Sequence, residues 1–217
     1  MQSIYARLEA RAKLASAIKT FALSFLSKRA VIQKMAGPGI YLTFDDGPHP
    51  ENTPRILDAL ANQNAKATFF VQGQFVVKYP EIARRIVADG HSIAGHSWSH
   101  RRLPHWAVRE TWHEFWQTRN VIRDVAGVNT ELFRPPYGLV NLPMLVFAAA
   151  GKLRLALWSV DSDDDRTHSI AAILSKGRET VAGDILLCHD DNEAILKALP
   201  ELIREWRNRG LQPQVLT

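Results

Sequence analysis

Short runs of apolar, β-forming residues alternate along this chain with stretches whose apolar residues recur at helical spacing. That alternation restricts the fold more than any other feature. The runs occupy 39–44, 67–72, 92–94, 132–134, 154–160, 185–188 and 214–216. Strands separated by helices pair in parallel, since a parallel neighbour needs a long crossover and a helix is the usual one. The helical punctuation is readable. Pro80 suits a first turn, Ile82, Ile86 and Val87 give an inward face, and Gly90 can end the segment. Near 53–63, Ile56, Leu57 and Leu60 form a similar face. The pattern predicts a parallel βα architecture, and 217 residues at 46% hydrophobic suffice for one core of this kind.

Charge divides the chain at residue 36. Residues 1–36 hold seven cations against Glu9 alone, a net of +6, whereas the whole chain is +5 and residues 37–217 are therefore at −1. The basic balance belongs to the leader rather than to a groove, so a nucleic-acid partner is not expected. Leu14, Ile18, Phe21 and Phe25 recur as on one helical face. Lys19 and Lys28-Arg29 leave too short an apolar run for a signal peptide, so the segment is read as retained. It either packs on the domain or rests on an anionic membrane surface. Cys188 is the sole cysteine, which rules out an intramolecular disulfide. The expected location is cytoplasmic, with peripheral contact at the inner membrane surface through residues 1–36. Oligomeric state is not legible.

Asp45-Asp46 follow the apolar run Ile40 to Phe44, and Gly47-Pro48 break it. Adjacent carboxylates at a strand end repel unless a cation or a base role separates their duties. One acid on a metal and one on a proton is the arrangement this suggests; a plain solvated turn is the alternative. His96-Ser97-Trp98-Ser99-His100 places two histidines four apart, as on one face of a helical turn and within reach of one ion. Two imidazoles and a carboxylate make a ligand set for zinc, with cobalt, nickel, manganese or iron as other candidates.

Further fragments follow in order: Arg134-Pro135-Pro136-Tyr137-Gly138, Trp158-Ser159-Val160-Asp161 and Leu186-Leu187-Cys188-His189-Asp190. With Thr43-Phe44-Asp45-Asp46-Gly47 and the histidine pair, the chain resembles the polysaccharide deacetylase family, the NodB-homology domain of carbohydrate esterase family 4. The likeness runs from about residue 39 to 216. It implies a distorted (β/α) barrel of about seven βα units in residues 37–217, and removal of an N-acetyl group from an amino sugar with one divalent metal. It further implies that Asp46, His96 and His100 hold the metal, that Asp45 is the general base and that His189 is the general acid. Arg134 would orient Asp45, Asp161 would pair with His189, Tyr137 would offer its backbone N–H to the oxyanion, and Leu187 would line the acetyl pocket. For Asp161, the acids Asp163, Asp164 and Asp165 are competitors.

This chain departs from the family pattern in two places. Asp165 stands where the fourth motif commonly has tryptophan, with Trp158 upstream as a possible cover, and Arg101-Arg102 follow His100 where proline is common. Trp98 and Trp106 are candidates for stacking on sugar rings, while Val108, Trp112 and Phe115 are expected to be core on one helical face. The other readings are a deformylase or amidase acting on a lipid-linked sugar or a non-sugar amide, and a glycan-binding barrel without turnover.

Overall fold

The computed structural model describes residues 30–102, 107–150 and 153–217. The leader face at Leu14, Ile18, Phe21 and Phe25, and Trp106, lie outside the described residues. In chain order the elements are β1 (Val31–Ile32), β2 (Ile40–Asp45), α1 (Asn52–Asn62), β3 (Thr68–Val71), α2 (Gly73–Lys78), α3 (Pro80–Ala88), β4 (Ser92–Gly95) and α4 (Val108–Ala126). There follow β5 (Leu132–Phe133), α5 (Leu142–Ala149), β6 (Arg154–Ala156), β7 (Val160–Asp161), α6 (Ile170–Glu179), β8 (Ile185–His189), α7 (Glu193–Asn208) and β9 (Pro213–Gln214).

The strands form one sheet in the order β1-β6-β5-β4-β3-β2-β8-β7, with β9 also beside β2. All its strand pairs are parallel. Among the described residues β1 and β7 do not pair, so the barrel is distorted and open on one side.

Two differences from the sequence reading have physical causes. The run 154–160 is two strands, because the chain changes partners within it: Leu157 N–H donates to Ile32 and Ser159 N–H to Ile185. Residues assigned to the leader also join the sheet. Val31 and Ile32 pair with β6, Met35 N–H donates to Gly183, and Lys34 lies 3.0 Å from Asp184.

Period-two alternation sorts the strands into an outer and an inner face. Ile40, Leu42 and Phe44 of β2, with Leu186 and Cys188 of β8, meet Ile56, Leu57 and Leu60 of α1 and Leu199, Leu202 and Trp206 of α7. The intervening residues turn inward, where Tyr41, Phe70, Ala94, Leu132, Ala156 and Ile185 fill the barrel. The same alternation carries Asp45 and His189 to the inner face at the carboxyl ends of their strands. In α4 the expected core face is only partly realised. Phe115 is buried, but Val108 is 56% and Trp112 42% exposed. None of the described helices is long and apolar enough to cross a membrane.

Candidate active site

Asp45 and His189 are register partners on β2 and β8, so a carboxylate and an imidazole stand side by side at the carboxyl end of the sheet. Asp46 follows with φ 75°, in the left-handed region that a non-glycine residue enters at a cost. Ser97, His100 and Tyr137, at 63°, 55° and 59°, share that conformation, and such backbone gathers where surrounding structure enforces it for function. Gly47 is required here, because a Cβ would stand 2.0 Å from Asp190 Oδ2.

The histidines do meet, but not through a helix. β4 ends at Gly95 and His96 to His100 form a loop whose left-handed residues bring the rings to 4.9 Å. Asp46 Oδ1 lies 3.6 Å from His96 Nε2 and 3.3 Å from His100 Nε2. Ligand atoms around a tetrahedral ion with bonds of 2.0–2.1 Å are about 3.3–3.4 Å apart, so these donors are spaced for one ion. His96 Nδ1 donates to the Arg134 carbonyl at 2.7 Å, which leaves Nε2 as the coordinating atom. Burial lowers the pKa of His100, with Asp46 opposing, and a neutral ring is the ligating form. Gln72 Nε2 donates to Asp46 Oδ1 at 3.0 Å.

Arg134 leaves β5 into the barrel interior and is fully buried. Its Nη1 donates to Asp45 Oδ1 at 2.6 Å and to Thr43 Oγ1 at 2.8 Å, while Nε and Nη2 reach the Ala156 and Leu157 carbonyls. The guanidinium stacks 4.0 Å from the Phe70 ring centroid. Burial pulls its pKa down and Asp45 pulls it up, yet an arginine stays charged throughout. Asp45 is thereby anchored by one oxygen. The other, Oδ2, faces the metal donors at 3.7 Å from His96 Nε2.

At His189 the expected partner is replaced. Asp164 Oδ1 lies 2.8 Å from His189 Nδ1, whereas Asp161 accepts the Asp163 N–H at 2.9 Å and lies 3.6 Å from Arg166. Asp163 has φ 56°, and this reversal after β7 turns Asp164 back under the histidine. Burial opposes charge on His189, but the Asp164 hydrogen bond and the Asp164, Asp45 and Asp46 carboxylates outweigh it and push the pKa to about 10. A dication held by Asp46 would draw it back down.

These groups open into a cavity of about 520 Å³ that Leu187, Tyr137, Trp158, Asp161, Asp165 and Asp191 also line. Leu187 thus lines the cavity, and Trp158 supplies an aromatic side chain to a cleft where Asp165 brings charge. Trp98 is not part of that lining: it packs on α2, where a Cβ at Gly73 would stand 2.4 Å from its ring.

Three supports were not assigned from the sequence. Glu114 of α4, 3% exposed, accepts from Trp98 N, Ser99 N, Ser99 Oγ and Arg101 Nε at 2.8–3.0 Å and so pins the histidine loop. Asp164 is the second. Asp190, 1% exposed, accepts from Thr53 and has Oδ1 without a partner among the described residues. Asp164 carried a signal only as one of the acids competing with Asp161, Asp190 as an acid next to an apolar strand end, and Glu114 none.

A family model described as polysaccharide deacetylase matches residues 33–156. Peptidoglycan-N-acetylmuramic acid deacetylase PdaC of Bacillus subtilis is 35% identical over 174 residues, covering 80% of this chain and 37% of that protein. A chitooligosaccharide deacetylase of Sinorhizobium fredii is 37% identical over 155 residues, covering 70% of this chain and 72% of that protein. The solved structure of a family 4 carbohydrate esterase from Streptomyces lividans in complex with acetate superposes with a TM-score of 0.77 at 32% identity, over 83% of this chain and 94% of that one. The chain spans little more than a third of PdaC. By sequence, by fold and by the motifs that converge on the carboxyl end of the sheet, it belongs to the polysaccharide deacetylase family.

Proposed function

We propose that this chain is a metal-dependent hydrolase that removes the N-acetyl group of an amino sugar in an oligosaccharide, polysaccharide or glycolipid. One observation carries the reading: three side chains grouped as donors for one metal ion, an arginine-anchored carboxylate and a carboxylate-supported histidine line the same cavity. Asp46, His96 and His100 would hold the ion, zinc first by donor type, with cobalt, nickel, manganese or iron possible at the same donors. When bound, it supplies a Lewis acid that polarises the amide carbonyl and acidifies water.

The chain's own groups do the rest. Asp45, held at Oδ1 by Arg134, takes the proton of the attacking water on Oδ2. Tyr137 N–H points its dipole at the developing oxyanion, and Leu187 packs on the acetyl methyl. His189, held at Nδ1 by Asp164, gives its Nε2 proton to the leaving nitrogen, because an amide does not readily expel an unprotonated amine. The C–N bond breaks, and acetate and a free amine leave. Asp161 then shapes the cleft wall rather than supporting the acid.

Acetate release from N-acetylated mono- and oligosaccharides, free and lipid-linked, with and without chelator, tests the reading. Metal-dependent release is expected. Sugar binding without release by the metal-loaded protein would favour a binding module; release only of formate or from non-sugar amides would favour the deformylase or amidase. Full metal occupancy in the His96→Ala, His100→Ala double variant would overturn the ligand set. Cytoplasmic residence and contact of the basic leader with an anionic membrane belong to the same reading, supported by the leader's charge; salt-sensitive sedimentation with anionic liposomes tests the contact.

A further inference from the structure

The deacetylase reading leaves open what the substrate carries beside its acetamide, and the two arginines after His100 bear on that. Arg101 is folded back, its Nε donating to Glu114 Oε1 at 2.9 Å. Arg102 is exposed and lies over the Tyr137 ring, its guanidinium carbon 4.7 Å from the centroid. The ring in turn meets His100 edge-on at 4.8 Å. Arg102 therefore rests on a surface fixed by the site itself, and it lines the cavity shared by Asp46, Leu187 and His189. A guanidinium stacked through its face keeps its in-plane N–H groups available to a ligand.

The surrounding charge gives that availability a direction. Arg166, the other arginine lining the cavity, faces Asp163 at 2.7 Å, Asp161 at 3.6 Å and Asp165 at 3.7 Å. Arg102 has no carboxylate within 4.0 Å among the described residues. The wall of Asp161, Asp165 and Asp191 thus holds more carboxylates than Arg166 balances, while Arg102 is a lining cation with no carboxylate beside it. An anionic substituent would be repelled by the first wall and drawn to the second. A neutral sugar would gain little from either.

We propose that Arg102 determines specificity: it binds an anionic oxygen on the substrate next to the sugar whose acetamide is cleaved, so that an anionic N-acetylated glycan is preferred to a neutral one. This rests on the deacetylase reading. The anion can be a carboxylate, as on muramic acid, or a glycosyl phosphate, and Arg suits both through paired N–H donors.

The experiment compares kcat/KM of metal-loaded wild type, Arg102→Lys and Arg102→Ala on three tetrasaccharides. One is neutral N-acetylated chitotetraose. The second alternates N-acetylglucosamine with N-acetylmuramic acid and carries no peptide, and the third is chitotetraose 1-phosphate. Arg102→Ala should lose about ten-fold on an anionic probe, mainly through KM, and little on the neutral one. The anionic preference of wild type should fade with salt, and Arg102→Lys should keep part of it. Whichever anionic probe falls identifies the source. Equal losses on all three, or none, would overturn the proposal. Absence of acetate release from every probe would sink the deacetylase reading instead; calorimetric binding of the anionic tetrasaccharides to wild type and Arg102→Ala still decides the role of Arg102, equal affinities counting against it.

Discussion

Asp164 grips His189 at two points: Oδ1 lies 2.8 Å from the ring Nδ1, and Oδ2 accepts the backbone N–H of His189 at 2.8 Å. The bond fixes which nitrogen faces the cleft, and the charge keeps the ring protonated.

From this follows a pH-dependence that separates two neighbouring acids. The pKa of His189 is raised to about 10 by Asp164 and the nearby carboxylates against the opposing effect of burial. The alkaline limb of kcat/KM should therefore fall to lower pH in Asp164→Asn, by about one unit or more, and stay in place in Asp161→Asn. A raised pKa on a basic group also means that its stabilisation is present below the unfolded value, near about 6.5, and is lost as pH rises through about 10. Urea midpoints of wild type should decline across that window and those of Asp164→Asn less so.

Removing the charge of Asp45 should dissociate turnover from metal binding. Asp45→Asn is expected to keep its metal, because Asp46, His96 and His100 remain, and to lose about 10²–10⁴-fold in kcat. The same variant leaves Arg134 buried without its counter-charge, so a stability loss of a few kcal/mol should accompany it, measured by denaturant unfolding. Near-wild-type turnover in the metal-loaded variant would rule out the base assignment.

Glu114 is expected to act on the metal from outside the donor set. Its carboxylate collects four donors of the histidine loop, so Glu114→Ala frees that loop and should weaken metal affinity about 10–100-fold. Metal titration measures this. Unchanged affinity would mean that the left-handed backbone at Ser97 and His100 holds the loop unaided.

Asp190 should make the protein less stable as pH rises. Burial, against the Thr53 hydrogen bond, raises its pKa to about 8, so the native state resists ionisation that the unfolded chain undergoes near pH about 3.9. The cost grows between those values. Asp190→Asn should gain stability relative to wild type between pH 5 and pH 8 by up to several kcal/mol, read from urea midpoints at each pH. A constant difference across that range would contradict the assignment.

The strand ends and their acids were legible because an apolar run that stops at Asp45 or His189 marks both a strand and what it presents. The contact between His96 and His100 was legible too, although a loop with reversed backbone produces it rather than a helical turn. Spacing could not resolve the acid-rich turn, where the left-handed Asp163 selects Asp164 over Asp161. Glu114 was hidden for a different reason: a charged residue in a helix reads as solvated, and only the loop folding onto α4 buries it. Trp98 looked like a sugar platform from its place in the metal loop, but Gly73 has no side chain and the ring fills that gap.

Arg134 touches both halves of the site by different atoms, its carbonyl on His96 and its guanidinium on Asp45. The separation between ion and base is consequently set by the covalent length of one residue clamped inside the barrel. Substitutions meant to admit a larger ion by shifting His96 would drag that residue's backbone and retune the base as well, so the two cannot be engineered one at a time. A redesign of this centre would have to treat Arg134 as a fixed gauge and vary the donors on the opposite side, at Asp46 and His100.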